Sequence, residues 1–161
     1  MNTSATQERT RDQVARIRAA KRAKAVAVGV DEAFVSQLVE GFYAAVRDDD
    51  LLGPIFDQRI ADWPQHLDRM KRFWRSILFN SGEFSGNPML KHMAIPGLEE
   101  RHFARWLELF YAQLRTLEST PGAAPLVGRS ARMIADSLLT GIASRRSGLA
   151  GSRAGGNLPH V

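Results

Sequence analysis

The sequence predicts an all-α domain of five main helices joined by short linking helices. Three observations support this fold class. Apolar residues recur at helical spacing in several long segments, and capping residues or Pro and Gly bound those segments. No segment alternates apolar and polar residues for long enough to predict a strand. The 161 residues, 44% hydrophobic and 24% charged, suffice for one soluble domain with a sizeable core.

The first helix is predicted over residues 7–28, where the apolar stripe is thin and Gly29 ends the helix. Much of the net charge of +5 lies in this segment. The basic residues are Arg9, Arg11, Arg16, Arg18, Lys21, Arg22 and Lys24. A basic helix can contact an anionic surface, but a solvated face is the preferred interpretation. We therefore expect residues 1–30 to form a basic helical extension.

Asp31 is expected to cap a second, strongly amphipathic helix that ends at residues 48–50. Its inward face comprises Val35, Leu38, Val39, Phe42, Tyr43 and Val46. A tight turn at residues 52–56 then brings Phe56 inward. Asp62 and Pro64 start the third helix. Its apolar face comprises His66, Met70, Phe73, Trp74, Ile77 and Leu78.

Asn87 and Pro88 start a short helix that presents His92 between two methionines, before Pro96 and Gly97 end it. The next long helix begins at residues 99–100, and the last runs over residues 125–144. The inward face of the first of these helices comprises Phe103, Trp106, Leu107, Phe110, Leu114 and Leu117. The inward face of the last helix comprises Val127, Ala131, Ile134, Ala135, Leu138 and Ile142. Residues 147–161 are rich in Gly, Ser and Arg and are predicted to form a disordered tail.

Missing motifs exclude several chemistries. The chain has no cysteine, which excludes disulfides, thiolate metal sites and covalently attached haem. It also lacks a phosphate-binding loop, a His-Glu-x-x-His motif and a Gly-x-Ser-x-Gly motif. Glu99 and His102 have the spacing of a di-iron ligand pair, but a second copy is absent. They are interpreted as a helix start with a solvated histidine nearby.

Two histidines, His66 and His92, remain on separate helices with large aromatics on the flanking faces. Either one alone is more often a core or surface residue than a ligand. If the loop between the helices folds back, the two imidazoles face each other across a flat slot. Such a slot suits haem, because one neutral imidazole can bind iron while the other side supplies hydrogen-bond donors. This reasoning leaves two interpretations of the histidines open, an ordinary core and a haem site.

The order of several motifs closely resembles the group III truncated haemoglobins of bacteria. The resemblance covers roughly residues 31–144. It rests on Phe42-Tyr43, Leu52-Gly53-Pro54-Ile55-Phe56, Trp63-Pro64-x-His66-x-x-x-Met70-x-x-Phe73-Trp74, Gly86-Asn87-Pro88-Met89-x-x-His92 and Phe103-x-x-Trp106-Leu107-x-Leu109-Phe110. It implies a shortened globin fold, two helices packed over two around a b-type haem, over residues 31–146. The N-terminal helix and the Gly-rich end lie outside the resemblance.

The resemblance also implies a role for each site residue. His92 would be the proximal iron ligand, and Tyr43, His66 and Trp106 would form the polar distal set. The haem-contacting side chains would be Phe56, Met70 and Trp74, with Phe73 and Phe103 as weaker candidates. Lys91, beside the proximal ligand, is a weak candidate for binding a haem propionate, although a solvent-exposed lysine is the simpler interpretation.

The expected function is a haem protein that binds oxygen, CO and nitric oxide at a five-coordinate iron. Three distal donors predict slow oxygen release. The alternative is a redox enzyme on the same haem, either a nitric oxide dioxygenase or a peroxidase-like activity, which needs an electron donor such as a reductase. A haem-free helical interaction module is the third hypothesis, supported by the basic helix alone. We expect a cytoplasmic monomer or weak dimer that binds neither membrane nor nucleic acid.

Overall fold

The computed structural model describes residues 3–151 and 153–161, and across them the chain forms seven α-helices and no strand. Residues 1–2 of the predicted extension and residue 152 of the predicted tail lie outside the described residues. The helices are α1 (Thr3–Ala27), α2 (Glu32–Asp48), α3 (Gly53–Arg59), α4 (Trp63–Phe79), α5 (Pro88–Met93), α6 (Glu100–Leu117) and α7 (Ala123–Ser147), followed by a 3-10 turn at Gly148–Gly151.

The helix starts follow the predicted capping chemistry. The side chains of Asp31, Asp62 and Asn87 accept hydrogen bonds from backbone N–H groups in the first turns of α2, α4 and α5. These bonds satisfy donors that have no partner inside the helix. Pro64 and Pro88 stand in the first turn of their helices, where a missing N–H costs nothing. Local sequence therefore fixes where the site-bearing helices begin.

The domain is a two-over-two helical sandwich. Helices α2 and α4 pack together as one layer, α6 and α7 pack together as the other, and α2 packs on α6. Most of the side chains that fill the core come from the predicted apolar faces, and Phe42, Leu38, Leu107 and Phe110 are among the most deeply buried. The short α5 packs on α7. The sandwich therefore holds α4 in one layer and α5 against the other.

Helix α1 is an extra element at the N-terminus, and it packs on α4. Ala25 is the one buried side chain among its described residues. Arg22 pairs with Glu32 at 3.1 Å and lies over the Phe79 ring. Within the described residues no helix is long and apolar enough to cross a membrane.

The C-terminal segment differs from the disordered tail that composition predicts. Leu158 is buried, and the Tyr111 hydroxyl donates a hydrogen bond to the Pro159 carbonyl at 2.8 Å. At Gly128 a Cβ atom would lie 2.6 Å from the Val161 side chain, so the absence of a side chain there lets the segment approach α7. Although the tail has few apolar residues, the buried Leu158 and the hydrogen bond from Tyr111, 48 positions earlier in the chain, hold it against the domain.

Candidate haem site

A cavity of about 510 Å³ lies among helices α2 to α7. All ten side chains that the sequence singled out line it. They are Tyr43, Phe56, His66, Met70, Phe73, Trp74, Lys91, His92, Phe103 and Trp106. The volume falls within the range of about 300–1,000 Å³ typical of small-molecule and cofactor sites. The fold therefore gathers residues from five helices, separated by up to 63 positions, around one space.

His92 is held in a defined orientation and, when neutral, in a defined tautomer. Its Nδ1 lies 2.6 Å from the Pro88 carbonyl oxygen, one turn earlier in α5. Because a carbonyl can only accept, Nδ1 carries the hydrogen, and Nε2 is the nitrogen with a free lone pair. A backbone bond of this kind is the usual way in which a metal-binding histidine is oriented. The Met89 side chain packs at Gly141 of α7, which keeps α5 close to the opposite layer.

His66 presents an unusual polar atom. Its Nε2 is buried and has no hydrogen-bond partner among the described residues. Burial lowers the pKa of the imidazole, and the positive charges of Arg69 and Lys91 lower it further, so the ring is neutral near pH 7. Leaving a buried nitrogen unpaired costs free energy, and such a group calls for an explanation. A ligand inside the cavity would supply the missing partner.

Tyr43 and Trp106 also carry polar hydrogens at the cavity. Tyr43 is 5% exposed, and its ring meets the His66 ring edge to face with 5.0 Å between centroids. Burial raises the pKa of the Tyr43 hydroxyl above its usual range, so the group stays protonated and can donate. Neither the Tyr43 hydroxyl nor the Trp106 indole N–H has a hydrogen-bond partner in the part of the chain that the structure describes. Two donors and the unpaired Nε2 of His66 thus line one space without partners among the described residues.

Aromatic packing fixes the positions of these donors. Trp106 stacks on Phe110 at 5.3 Å between centroids, and Phe110 stacks on Trp74 at 5.0 Å. On the other side, Tyr43 meets Phe56 at 5.8 Å and Trp63 at 6.2 Å. Rings in contact at these distances restrict each other's rotation. The cavity therefore has rigid apolar walls with a few polar groups at set places.

Three cations line the same cavity, and none of them has a carboxylate partner within the described residues. Lys91 and Arg59 are exposed, and Arg69 is half-buried. The Arg59 guanidinium donates to the Ala94 carbonyl at 3.4 Å, and Arg69 lies over the Phe84 ring at 5.5 Å from its centroid. Cations free of acidic partners at the edge of a largely apolar space are suited to binding the carboxylates of a ligand.

The sequence interpretation missed several lining residues. Arg69 lies three positions after His66, one helical turn along the same face of α4, and that spacing is a signal that could have identified it. Arg59, Phe84 and Leu98 lie at a helix end or in connections, where periodicity carries no information. His102 is buried rather than solvated, and its Nδ1 accepts from the Glu99 backbone N–H. The predicted helix start at these two residues is confirmed, but the solvated histidine is wrong.

Comparison with known proteins decides the family. Over 89 residues, covering 53% of this chain and 70% of the relative, the sequence is 34% identical to the group 3 truncated hemoglobin ctb of Campylobacter jejuni. The chain belongs to the group III truncated haemoglobins. The fold agrees: the crystal structure of a group III truncated hemoglobin from Campylobacter jejuni matches with a TM-score of 0.64 and 30% identity, over 67% of this chain and 87% of that one. No family model matches the sequence.

As a truncated haemoglobin the chain is a haem-binding globin. The residues present fit that group. His92 offers one free imidazole nitrogen, the walls are apolar and aromatic, and three unpaired cations can meet two propionates. The orphaned Nε2 of His66 is the polar atom that a bound ligand would satisfy. The donor set therefore suits an iron porphyrin held by a single protein nitrogen.

Proposed function

We propose that this truncated haemoglobin binds haem b with Nε2 of His92 as its iron ligand. The observation that carries the proposal is the 2.6 Å contact of His92 Nδ1 with the Pro88 carbonyl, because in the neutral ring it places the hydrogen on Nδ1 and leaves the Nε2 lone pair available to iron. Apolar contact would come from Phe56, Met70 and Trp74, with Phe73 and Phe103 completing the walls. Arg59, Arg69 and Lys91 would hold the propionates.

Haem supplies an iron with one open coordination position for a diatomic ligand such as oxygen, CO or nitric oxide. The chain's own contribution is the donor set of Tyr43, His66 and Trp106. A ligand that carries partial negative charge would accept hydrogen bonds from these groups, which are stronger in a site that excludes water. Because the donors have no competing acceptor, we infer that oxygen is retained rather than released quickly.

Retention favours chemistry over transport, so a redox activity is the second candidate. Nitric oxide oxidation or a peroxidase-like reaction would use the same pocket and would need an external electron donor, such as a reductase. Stopped-flow measurement of oxygen release and of turnover with nitric oxide separates the two functions. Slow release with turnover supports the enzyme, whereas fast release without turnover contradicts both the enzyme and the retention argument.

The functional unit proposed here is the globin domain over residues 31–146. Every lining side chain of the cavity lies between Tyr43 and Leu138, so the described residues of the basic N-terminal helix and of the C-terminal segment contribute none. We propose a cytoplasmic protein that works as a monomer or weak dimer. Sedimentation of the haem-loaded chain tests the last point.

Titration of haem into purified variants tests the ligand assignment. His92→Ala is expected to abolish stable haem binding, because it removes the only nitrogen proposed to bind iron. His66→Ala is expected to keep haem and to change ligand kinetics. His160→Ala is the matched control, since this histidine is exposed in the C-terminal segment far from the cavity lining. If His66→Ala lost haem while His92→Ala kept it, the proximal and distal sides would be reversed.

A further inference from the structure

His102 is a buried histidine at the cavity to which the proposed function assigns no role. It stands in the first turn of α6, is 7% exposed and lines the cavity one helical turn before Trp106. It is also the one polar or charged residue among the described residues that is as deeply buried as the hydrophobic core. The fully enclosed unpaired side-chain atom of the described residues is His66 Nε2, so a ring nitrogen of His102 that lacks a protein partner is open to the cavity or to solvent.

One ring nitrogen is already used. The Glu99 backbone N–H donates to Nδ1 of His102 at 3.0 Å, as part of the capping box that starts α6. A backbone N–H can only donate, so Nδ1 carries no hydrogen and Nε2 carries it in the neutral ring. Burial lowers the pKa of this imidazole, and the charge of Arg101 adds to the effect, so the ring is neutral. His102 therefore offers one fixed N–H donor.

That donor has no acceptor among the described residues, although the side chain lines the cavity. A second group is bonded to the chain segment that leads to His102. The chain from α5 to α6 lines the cavity with Ala94, Ile95 and Leu98 before it reaches His102. Arg59 donates to this connection at the Ala94 carbonyl, and no carboxylate pairs with it in the described part of the chain. A neutral donor and a free guanidinium thus flank one connection.

Haem b has hydrogen-bond acceptors only at its two propionates, because iron occupies the four ring nitrogens. We propose that Nε2–H of His102 donates a hydrogen bond to a haem propionate, with the Arg59 guanidinium at the start of the connection that leads to His102. This proposal rests on haem binding through His92. It gives His102 two roles, since one nitrogen starts α6 and the other fixes the rotation of the haem about the bond from iron to His92.

The test compares two iron porphyrins in the loaded protein. One is haem b, and the other carries alkyl groups in place of both propionates. The variant His102→Glu keeps the capping box, because Glu is a usual residue at that position of the helix, but its carboxylate has no hydrogen to donate. His160→Glu is the exposed control. The readout is the rate at which each porphyrin passes to excess apomyoglobin.

We expect His102→Glu to speed the loss of haem b by about 10-fold or more, the ratio that one hydrogen bond to a carboxylate gives, and to leave the loss of the alkyl porphyrin within about twofold. Equal acceleration for both porphyrins would overturn the proposal, since His102 would then act only through α6. No acceleration would overturn it as well. Failure of the wild-type chain to take up either porphyrin would contradict the proposed function instead.

A second measurement needs no substitution. In the CO form of the ¹⁵N-labelled wild-type protein, the assigned Nε2–H signal of His102 should differ between haem b and the alkyl porphyrin. It should also exchange with solvent more slowly with haem b, because the bonded hydrogen is held in place. Identical shifts and exchange rates in the two forms would refute the hydrogen bond.

Discussion

Replacing Tyr43 by Phe should leave stability nearly unchanged and weaken ligand retention. The Tyr43 side chain is 5% exposed and lines the cavity, and its hydroxyl has no hydrogen-bond partner among the described residues. The hydroxyl is not one of the fully enclosed unpaired atoms of those residues, so it is reachable from the cavity and its removal breaks no hydrogen bond within the protein. Tyr43→Phe should therefore change the free energy of unfolding by less than about 0.5 kcal/mol, which corresponds to roughly 2 °C or less in Tm for a chain of this size.

With oxygen bound, the same change removes a donor. A hydrogen bond to a charged group contributes about 1.5–3 kcal/mol, so Tyr43→Phe should speed oxygen release by about 10- to 100-fold. The assays are thermal unfolding of the ligand-free protein and stopped-flow oxygen release from the ferrous protein.

The chain offers a matched control, because it has only two tyrosines. Tyr111 is as buried as Tyr43, but its hydroxyl donates to Pro159. Tyr111→Phe should therefore lower stability by about 1 kcal/mol and leave oxygen release unchanged. If both variants lowered Tm alike, or if Tyr43→Phe left the release rate within twofold, the unpaired donor at Tyr43 would be an incorrect interpretation.

Two further predictions concern the scaffold around the site. The Asp49 carboxylate accepts hydrogen bonds from Leu51 N–H, Leu52 N–H and the Arg105 guanidinium. Asp49→Ala should therefore lower the free energy of unfolding, measured in urea, by about 2–3 kcal/mol. The control is Glu108→Ala, which removes the exposed partner of the same arginine and should cost under about 0.5 kcal/mol. Burial alone would raise the pKa of Asp49, but these hydrogen bonds lower it below 3.8. The stabilising contribution of Asp49 is therefore fully present above about pH 4 and is lost as pH falls through the folded-state pKa. An unfolding series from pH 6 to pH 2 should show this loss for the wild type and not for Asp49→Ala. Leu158→Ala should cost about 2–4 kcal/mol because this side chain is buried, and a change below about 0.5 kcal/mol would mean that the C-terminal segment is not docked in solution.

The parts of the fold that local chemistry controls could be predicted from the sequence. Asp31, Asp62 and Asn87 cap their helices as expected, because the capping bond spans only three residues. The amphipathic faces fixed which side of each helix turns inward. Periodicity could not tell which of His66 and His92 is the iron ligand, because both lie on helices among apolar residues. The family resemblance predicted the proximal role for His92.

Other features depend on contacts between distant residues and leave little trace in the sequence. Leu158 is one apolar residue in a Gly-rich tail, and its burial needs a groove that α6 and α7 form only after folding. The burial of His102 likewise depends on how α6 packs at the cavity. From its position in the first turn of the helix, its side chain was predicted to be exposed to solvent. Arg59 donates a hydrogen bond to the Ala94 carbonyl, 35 positions later in the chain, and helical periodicity does not predict a contact at that separation.

The absorption spectrum of the purified chain after haem addition tests the central claim most directly. The account predicts an intense porphyrin band in the ferric, ferrous and CO-bound forms, with a ferrous spectrum typical of five-coordinate iron that changes on CO addition. In His92→Gly, free imidazole should restore the spectrum that the substitution abolishes. The absence of a porphyrin band in the wild-type protein, or an unchanged spectrum in His92→Gly without imidazole, would contradict haem binding through His92.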